Sequence, residues 1–173
     1  MSVERLQARI RVVPDFPEPG IVFKDIRPLL ADAESLHELT DLIAEWAAPR
    51  RPDLILGAEA RGFILGATVA YKLDCGFVAA RRPGKLPWKT VSATYALEYG
   101  ENSLELHADA IAAGARVLVH DDLLATGGTA KAICDLAQQL GGEVVGLAFV
   151  IELDFLEGRK LLEGYDVHSI IRV

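Results

Sequence analysis

The sequence predicts an α/β fold with a Rossmann-like central parallel sheet flanked by helices. Several short segments are apolar throughout instead of alternating, as expected of strands covered on both faces. A repeated strand, helix, strand order is typical of a parallel sheet with crossover helices, and such sheets bind ligands at the carboxyl ends of their strands. The predicted strands span residues 53–58, 76–80, 116–121 and 143–151, with helical patterns between several of them at 61–73 and 127–140.

Two further helices are predicted ahead of the first of these strands. Apolar residues at helical spacing predict a short amphipathic helix over residues 1–13, which ends at Pro14. A second apolar stripe, from Leu36 to Trp46, predicts a helix with Ser35 as its candidate N-cap. The proline-containing segment after Trp46 closes this helix.

The segment over residues 81–107 interrupts the alternation of strands and helices. It carries glycine, two prolines and several basic residues, followed by two β-rich stretches that Gly100 to Asn102 join. We predict a long mobile loop, over residues 81–99, that runs into a hairpin. The C-terminal segment VHSIIRV predicts a last strand.

Length, charge and hydropathy limit the classes of function. A chain of 173 residues that is 51% hydrophobic fits one compact domain that folds without disulfides or metal. The formal net charge of −7 argues against nucleic acid as a partner. The longest apolar run, Val144 to Ile151, is too short to span a membrane, and the N-terminus lacks the apolar core of a signal peptide. We therefore expect a cytoplasmic protein with no membrane partner.

The segment VLVHDDLLATGGTA predicts an anion site. An apolar strand runs into an acidic pair, and two glycines then open a helix. The conformational freedom of glycine lets backbone N–H groups converge at the helix N-terminus, where unpaired donors and the helix dipole favour a phosphate. Threonine hydroxyls can add further donors. The residues of this predicted phosphate loop are Ala125, Thr126, Gly127, Gly128 and Thr129.

The acidic pair upstream is predicted to face another part of the same ligand. A carboxylate in contact with a phosphate would repel it, so we predict that Asp121 and Asp122 face sugar hydroxyls, or Mg²⁺ held through water. A phosphate beside a hydroxylated ring describes a ribose 5-phosphate. The alternative is an ordinary strand-to-helix turn with a solvated acidic pair. Neither a Walker A loop nor a GxGxxG fingerprint is present.

The segment DDLLATGGT resembles the phosphoribosyl-diphosphate motif of type I phosphoribosyltransferases, in the form found in members that use adenine. Four more segments resemble the same enzymes in the same order, so the similarity extends over nearly the whole chain. It implies the type I phosphoribosyltransferase fold as a single domain over residues 1–173, with a small N-terminal hood over 1–33 and a core over 34–173. The four segments are DFPEPGIVFKDI (15–26), GAEARGFILG (57–66), RPGKLP (82–87) and YALEYG (95–100).

A concentration of basic residues directly follows the second predicted strand, at residues 76–80. From Cys75 to Leu97 the chain has no acidic residue, although acids outnumber bases overall. Such a stretch suits a loop that folds over a diphosphate and neutralises its charge, and a solvated basic loop is the alternative. The resemblance implies a diphosphate site made of Ala60, Arg61, Arg81 and Lys85.

The resemblance also implies residues that act on the base. Glu98 would lie near the purine and assist proton transfer at a ring nitrogen, with Tyr99 helping to position the loop. From spacing alone, Glu98 is an unremarkable strand carboxylate, and the segment IVFKDI reads as a small hydrophobic plug. The implied base-binding residues are Phe23 and Leu123, on opposite faces of the ring, and the backbone around Val22 and Lys24, at its edge.

The implied reaction converts adenine and 5-phosphoribosyl 1-diphosphate to AMP and diphosphate. Mg²⁺ is the implied cofactor, bound with the diphosphate substrate and with no direct protein ligand assigned beyond Asp121 and Asp122 through water. Family members usually form homodimers, so a homodimer is expected. Two alternatives remain open: a phosphoribosyltransferase for another purine base, such as xanthine or hypoxanthine, and a non-catalytic ligand-sensing regulator with the same pocket.

Overall fold

The structure is a computed structural model that describes residues 3–96 and 101–173. Within those residues, none of the helices is both long and apolar enough to cross a membrane. The described residues also contain short 3-10 turns at Ala48–Arg50, Asp154–Leu156 and Gly158–Leu162. In chain order the helices and strands are α1 (Val3–Ala8), β1 (Arg11–Val13), β2 (Phe23–Asp25), α2 (Arg27–Ala31), α3 (Ala33–Ala47), β3 (Leu54–Ala58), α4 (Gly62–Lys72), β4 (Gly76–Ala80), β5 (Thr90–Ala96), β6 (Glu101–His107), β7 (Arg116–Leu124), α5 (Gly128–Gln139), β8 (Glu143–Glu152) and β9 (Val167–Arg172).

The centre of the molecule is a five-stranded sheet in the order β4-β3-β7-β8-β9, and each neighbouring pair is parallel. Helices α3 and α4 pack on one face, around Ile55 and Leu118. Helix α5 and the hairpin of β5 and β6 cover the other face. All five residues of β3 are buried, as expected of a strand covered on both sides. The predicted α/β fold with a central parallel sheet is confirmed.

The N-terminal segment differs from the helix predicted over residues 1–13. Helix α1 ends at Ala8, and Arg11 to Val13 form a strand that pairs antiparallel with β2, so that Val13 lies opposite Phe23. Apolar spacing does not distinguish the two structures here. The β-branched Val12 and Val13 favour a strand once a pairing partner is available, and β2 is that partner.

The start of α3 also differs from the prediction. The N-cap is Asp32 and not Ser35, because the Asp32 carboxylate accepts hydrogen bonds from both the backbone N–H (3.0 Å) and the hydroxyl (2.6 Å) of Ser35. These bonds lower the pKa of Asp32 to about 2. Ser35 therefore lies inside the first turn as a donor to the cap.

The predicted hairpin is present, but two residues predicted to join its strands belong to a strand. Ala96 pairs with Glu101 and Tyr95 with Asn102, so Glu101 and Asn102 lie on β6. Gly100 lies outside the described residues. Strand β7 is also longer than predicted, because it continues through Asp121 and the residues after it to Leu124. The acidic pair is therefore part of the strand and not of the following loop. The mobility of residues 81–99 stays a prediction.

Candidate active site

A cavity of about 500 Å³ opens at the carboxyl ends of β3 and β7. Its volume is in the range of sites for small ligands. The turn after β3, the end of β7, the start of α5 and the inner face of the hairpin meet there, so the cavity collects residues far apart in sequence. It is lined by Glu59, Ala60, Arg61, Arg82, Tyr95, Asn102, Leu104, Asp121, Asp122, Leu123, Ala125 and Thr129.

The predicted phosphate loop forms a small hollow of about 50 Å³ at the start of α5. Gly127 occupies the N-cap position with a φ of 86°, which an L side chain rarely adopts, and α5 begins at Gly128. The first helical hydrogen bond runs from the N–H of Lys131 to the carbonyl of Gly127. N–H groups in the first turn of a helix have no intrahelical acceptor, and here they are available to an anion.

The phosphate loop is supported by a turn between β8 and β9. A Cβ atom on Gly127 would lie 2.4 Å from the carbonyl oxygen of Gly158, and one on Gly158 would lie 2.2 Å from that of Ala125. Two backbone segments therefore approach as closely as glycine allows. Gly158 is not predicted from the sequence, because nothing in its local sequence marks a glycine that a distant segment requires.

The acidic pair is held by a network of charged groups. Asp122 is 5% exposed, and its Oδ2 lies 2.6 Å from Nε of Arg61. The backbone N–H of Asp122 donates to Oδ1 of Asp121 (2.8 Å). Burial and the neighbouring Asp122 charge raise the pKa of Asp121 well above its ordinary value, and the Arg61 charge partly opposes this rise. Asp121 thus carries a carboxyl group that binds its proton unusually tightly.

Arg61 also reaches the segment predicted to bind the base. Its guanidinium carbon lies 5.3 Å from the centroid of the Phe23 ring, a cation–π contact. Phe23 packs edge-on against Phe16, with ring centroids 5.2 Å apart. Arg61 therefore connects Phe23 on β2 with Asp122 on β7.

The other predicted base-binding residues are spread over three surroundings. Leu123 lines the cavity at the ends of β3 and β7, whereas Val22 is exposed and lines no part of it. Lys24 is half-buried and borders a separate hollow of about 140 Å³, together with Ile10 and neighbouring residues. Only Leu123 of the predicted set thus lines the cavity directly, and Phe23 adjoins it through Arg61.

The basic segment is anchored to the end of β3 by Glu59. One carboxylate oxygen of Glu59 accepts from the backbone N–H of Arg82 (2.9 Å), and the guanidinium of Arg81 lies 3.3 Å from the same carboxylate. The bond from Arg82 is the largest influence that lowers the pKa of Glu59. Arg82 lines the cavity, whereas Lys85 is exposed and its carbonyl accepts from Arg81 (3.2 Å). Sequence reasoning assigned no role to Glu59, although it is part of the GAEARG segment.

Two hairpin residues that sequence reasoning did not single out face this cavity. Tyr95 and Asn102 are paired across β5 and β6, and both line it. The Tyr95 hydroxyl accepts a hydrogen bond from the Thr129 hydroxyl (3.1 Å). The predicted catalytic residues Glu98 and Tyr99 lie outside the described residues.

His120, directly before the acidic pair, belongs to the core. It is fully buried, and its Nδ1 lies 2.9 Å from the carbonyl oxygen of Ala148. Burial lowers its pKa to about 4, so the ring is neutral at physiological pH. This agrees with a packing role.

Sequence comparison identifies curated relatives over nearly the whole chain. The profile of the phosphoribosyl transferase domain matches residues 28–171. An adenine phosphoribosyltransferase of Desulfitobacterium hafniense is 59% identical over 94% of each chain. One from Rubrobacter xylanophilus is 56% identical over 98% of this chain and 92% of its own.

Solved structures agree with the sequence comparison. The crystal structure of an adenine phosphoribosyltransferase from Thermoanaerobacter pseudethanolicus matches with a TM-score of 0.97 at 50% identity, covering 99% of this chain and all of its own. One from Saccharomyces cerevisiae, complexed with adenine and an iminoaltritol bisphosphate, matches with a TM-score of 0.92 at 40% identity over 97% of each chain. The chain belongs to the adenine phosphoribosyltransferases of the type I phosphoribosyltransferase family.

Proposed function

We propose that this chain converts adenine and 5-phosphoribosyl 1-diphosphate to AMP and diphosphate in the cavity described above. The observation that carries the proposal is a cavity at the carboxyl edge of the sheet that the acidic pair lines together with Ala125 and Thr129, the first and last residues of the phosphate loop. The whole loop, over residues 125–129, lines an adjoining hollow. That arrangement suits a sugar with a phosphate at one end. The yeast relative was crystallised with adenine, which supports adenine as the base.

The phosphate loop binds the 5-phosphate of the donor. Its backbone N–H groups lie at the positive end of the α5 dipole, and Thr126 and Thr129 add hydroxyl donors. Asp121 and Asp122 accept hydrogen bonds from the ribose hydroxyls through their carboxyl oxygens. The ribosyl carbon is then fixed between the loop and the base, and this positioning lowers the entropic part of the barrier.

The diphosphate lies against the turn after β3 and the basic segment. The backbone at Ala60 and the side chains of Arg61, Arg81 and Lys85 contact it and stabilise its growing charge as the glycosidic carbon becomes oxocarbenium-like. Arg81 is held near this place by Glu59. The turn, the acidic pair and the basic segment therefore act on one leaving group.

The donor set of the chain fits Mg²⁺ that enters with the substrate. In the described residues, no group of three or more His, Cys, Asp or Glu side chains is placed to hold a metal ion. Mg²⁺ commonly keeps several waters and takes its other ligands from substrate phosphates and one or two carboxylates. Asp121 and Asp122 would hold it through water, and when bound it would neutralise diphosphate charge.

The base binds between Phe23 and Leu123, and the backbone around Val22 and Lys24 reads its edge. In this proposal the chain is one domain, in which a hood made of residues 1–33 and a core made of residues 34–173 both contribute to the base site. Glu98 assists proton transfer at a purine ring nitrogen, and Tyr99 helps to position the segment that carries Glu98. The purine nitrogen attacks the ribosyl carbon directly, so no protein side chain forms a covalent bond with the sugar.

The proposal extends to assembly and location. We propose a homodimer in the cytoplasm whose partners are small molecules, with no nucleic acid or membrane partner, and the net charge of −7 supports the lack of a nucleic acid partner. Light scattering on the purified chain measures the mass of the assembly directly. A monomeric mass at micromolar concentration would contradict the dimer.

A panel of purine bases tests the proposed reaction. The chain is supplied with 5-phosphoribosyl 1-diphosphate, Mg²⁺ and one base at a time, and nucleotide formation is measured. We expect turnover with adenine to exceed turnover with hypoxanthine, xanthine or guanine. Preferred use of another base would reassign the substrate, and failure with every base would favour a sensor that binds the sugar phosphate without catalysis.

A further inference from the structure

Tyr95 places a hydroxyl group beside the phosphate loop from a distant part of the chain. It lies on β5, opposite Asn102, and lines the cavity. Its oxygen accepts the hydrogen of the Thr129 hydroxyl across 3.1 Å. Thr129 is in the first turn of α5 and is the last residue of the phosphate loop. Both side chains are half-buried, so solvent only partly competes with this bond.

The direction of this hydrogen bond has to change when a phosphate binds through Thr129. A threonine hydroxyl has one hydrogen, and a phosphate dianion accepts hydrogen bonds but has none to donate. The Thr129 hydrogen cannot therefore serve Tyr95 and the phosphate together. Once it turns to the phosphate, the Thr129 oxygen has lone pairs free to accept, and the phenolic hydrogen of Tyr95 lies within reach of them.

In the described part of the chain, the Tyr95 hydroxyl makes this one hydrogen bond, and there it is the acceptor. Its own hydrogen is therefore available. Reversing the bond keeps the same two oxygens as partners but requires the Tyr95 hydroxyl to shift, because in the structure only Thr129 is oriented to donate. Hydrogen bonds in such a chain polarise one another, so a bond from Tyr95 strengthens the bond from Thr129 to a charged acceptor.

We propose that Tyr95 is a positioning residue for the 5-phosphate of the donor, acting through Thr129 in a chain from tyrosine to threonine to phosphate. The proposal rests on the proposed function, since it takes the loop over residues 125–129 as the 5-phosphate site. The proposal predicts different effects on two kinds of ligand. Binding of molecules that carry the 5-phosphate depends on the Tyr95 hydroxyl, whereas use of adenine does not.

Tyr95→Phe tests the proposal because it removes the hydroxyl and keeps the ring. The control is Tyr71→Phe, the same chemical change at a side chain that is 91% exposed and outside the cavity. Binding of ribose 5-phosphate is measured by calorimetry, and KM is measured for donor and adenine. We expect Tyr95→Phe to weaken ribose 5-phosphate binding and raise the donor KM by roughly three- to tenfold, the effect of one lost hydrogen bond. The adenine KM should change less than about twofold, and Tyr71→Phe should change nothing.

A double-mutant cycle with Thr129→Val shows whether the effect passes through Thr129. Without the threonine hydroxyl there is no link to the phosphate, so Tyr95→Phe should add no further loss in that background. Additive losses would overturn the proposal, as would unchanged or tighter binding of ribose 5-phosphate by Tyr95→Phe. Equal ligand-free melting temperatures of the variants exclude a folding defect as the cause.

The failure of the proposed function has a different signature. A wild-type chain that forms no AMP and binds no ribose 5-phosphate overturns the proposed function and, with it, the role of Tyr95. A wild-type chain that forms AMP, while Tyr95→Phe binds ribose 5-phosphate equally well, overturns the role of Tyr95 alone.

Discussion

Nε of Arg61 lies 2.6 Å from Oδ2 of Asp122, so a residue predicted to bind diphosphate forms an ion pair with the acidic pair. The same guanidinium lies over the Phe23 ring. Through this ion pair, Arg61 partly neutralises Asp122, one of the two acids proposed to face the ribose. Arg61, on the turn proposed to bind diphosphate, therefore contacts both the predicted base-binding segment and the acidic pair.

Arg61→Gln is expected to reduce kcat/KM for the donor by at least tenfold. The variant leaves the buried Asp122 without its cationic partner and removes a positive group from the diphosphate site. Arg5→Gln, which breaks an exposed ion pair with Glu34, is the control and should leave the steady-state kinetics unchanged. Unchanged donor kinetics in Arg61→Gln would mean that the pair with Asp122 serves packing alone.

The raised pKa of Asp121 makes the stability of the fold depend on pH. The pKa of Asp121 is higher in the folded chain than in the unfolded chain, so the folded chain binds this proton more tightly. The proton therefore stabilises the fold at low pH, and this stabilisation is lost as the pH rises above the ordinary aspartate range. Asp121→Asn removes this cost. We expect the melting temperature of the variant to exceed that of the wild type increasingly as the pH rises toward neutral. Under acid conditions this difference should disappear. Asp135→Asn, at an exposed carboxylate, should show no comparable gain.

The same carboxylates should be needed for the donor more than for adenine. Asp121→Ala and Asp122→Ala remove acceptors for the ribose hydroxyls, so the donor KM should rise more than the adenine KM in initial-rate measurements with both substrates varied. An equal effect on both substrates would count against their proposed role. A variant that is more stable and less active would place Asp121 among residues kept for function at a cost in stability.

Glu98→Ala is expected to lower turnover by roughly 10²- to 10⁴-fold, the range for loss of a group that transfers a proton in the transition state. The donor affinity should stay near that of the wild type, because Glu98 is assigned to the base. Single-turnover measurements separate this chemical effect from product release. Near-normal turnover would remove Glu98 from the mechanism.

The parts of the site that follow from local patterns could be predicted from the sequence. The helix after the glycines was predicted because the glycines, the threonines and the helical pattern are contiguous, and the parallel sheet because its strands are apolar throughout. Phosphate binding by residues 125–129 stays a prediction. The strand at Arg11–Val13 was mistaken for helix, since its structure depends on pairing with β2. Pairing with a more distant part of the chain therefore determines the secondary structure of Arg11–Val13.

Glu59, Tyr95 and Gly158 could not be predicted for the same reason. Each contacts a segment far away in sequence: Glu59 the basic segment, Tyr95 the start of α5, and Gly158 the phosphate loop. An acid in a turn, a tyrosine in a strand and a glycine in a loop are ordinary in their local sequence. Their roles come from the sheet order and the hairpin, which bring these segments together.

Alanine substitutions at three glycines should separate backbone strain from steric conflict at the phosphate loop. Gly164→Ala places a side chain at a φ of 90° with nothing within 4 Å, so it should cost about 1–2 kcal/mol from conformation alone. Gly158→Ala is dominated by conflict with the Ala125 carbonyl and should cost about 1–3 kcal/mol. Gly127→Ala combines a φ of 86° with a conflict at Gly158 and should cost more than either.

Chemical denaturation measures the free energy of unfolding of the three variants, and calorimetry measures their binding of ribose 5-phosphate. Because Gly164 lies outside the phosphate loop, Gly164→Ala should lose stability and keep ribose 5-phosphate binding. Gly127→Ala and Gly158→Ala should lose both, since the clash moves the N–H groups that receive the phosphate. If Gly158→Ala binds ribose 5-phosphate as the wild type does, the turn between β8 and β9 does not set the geometry of the loop.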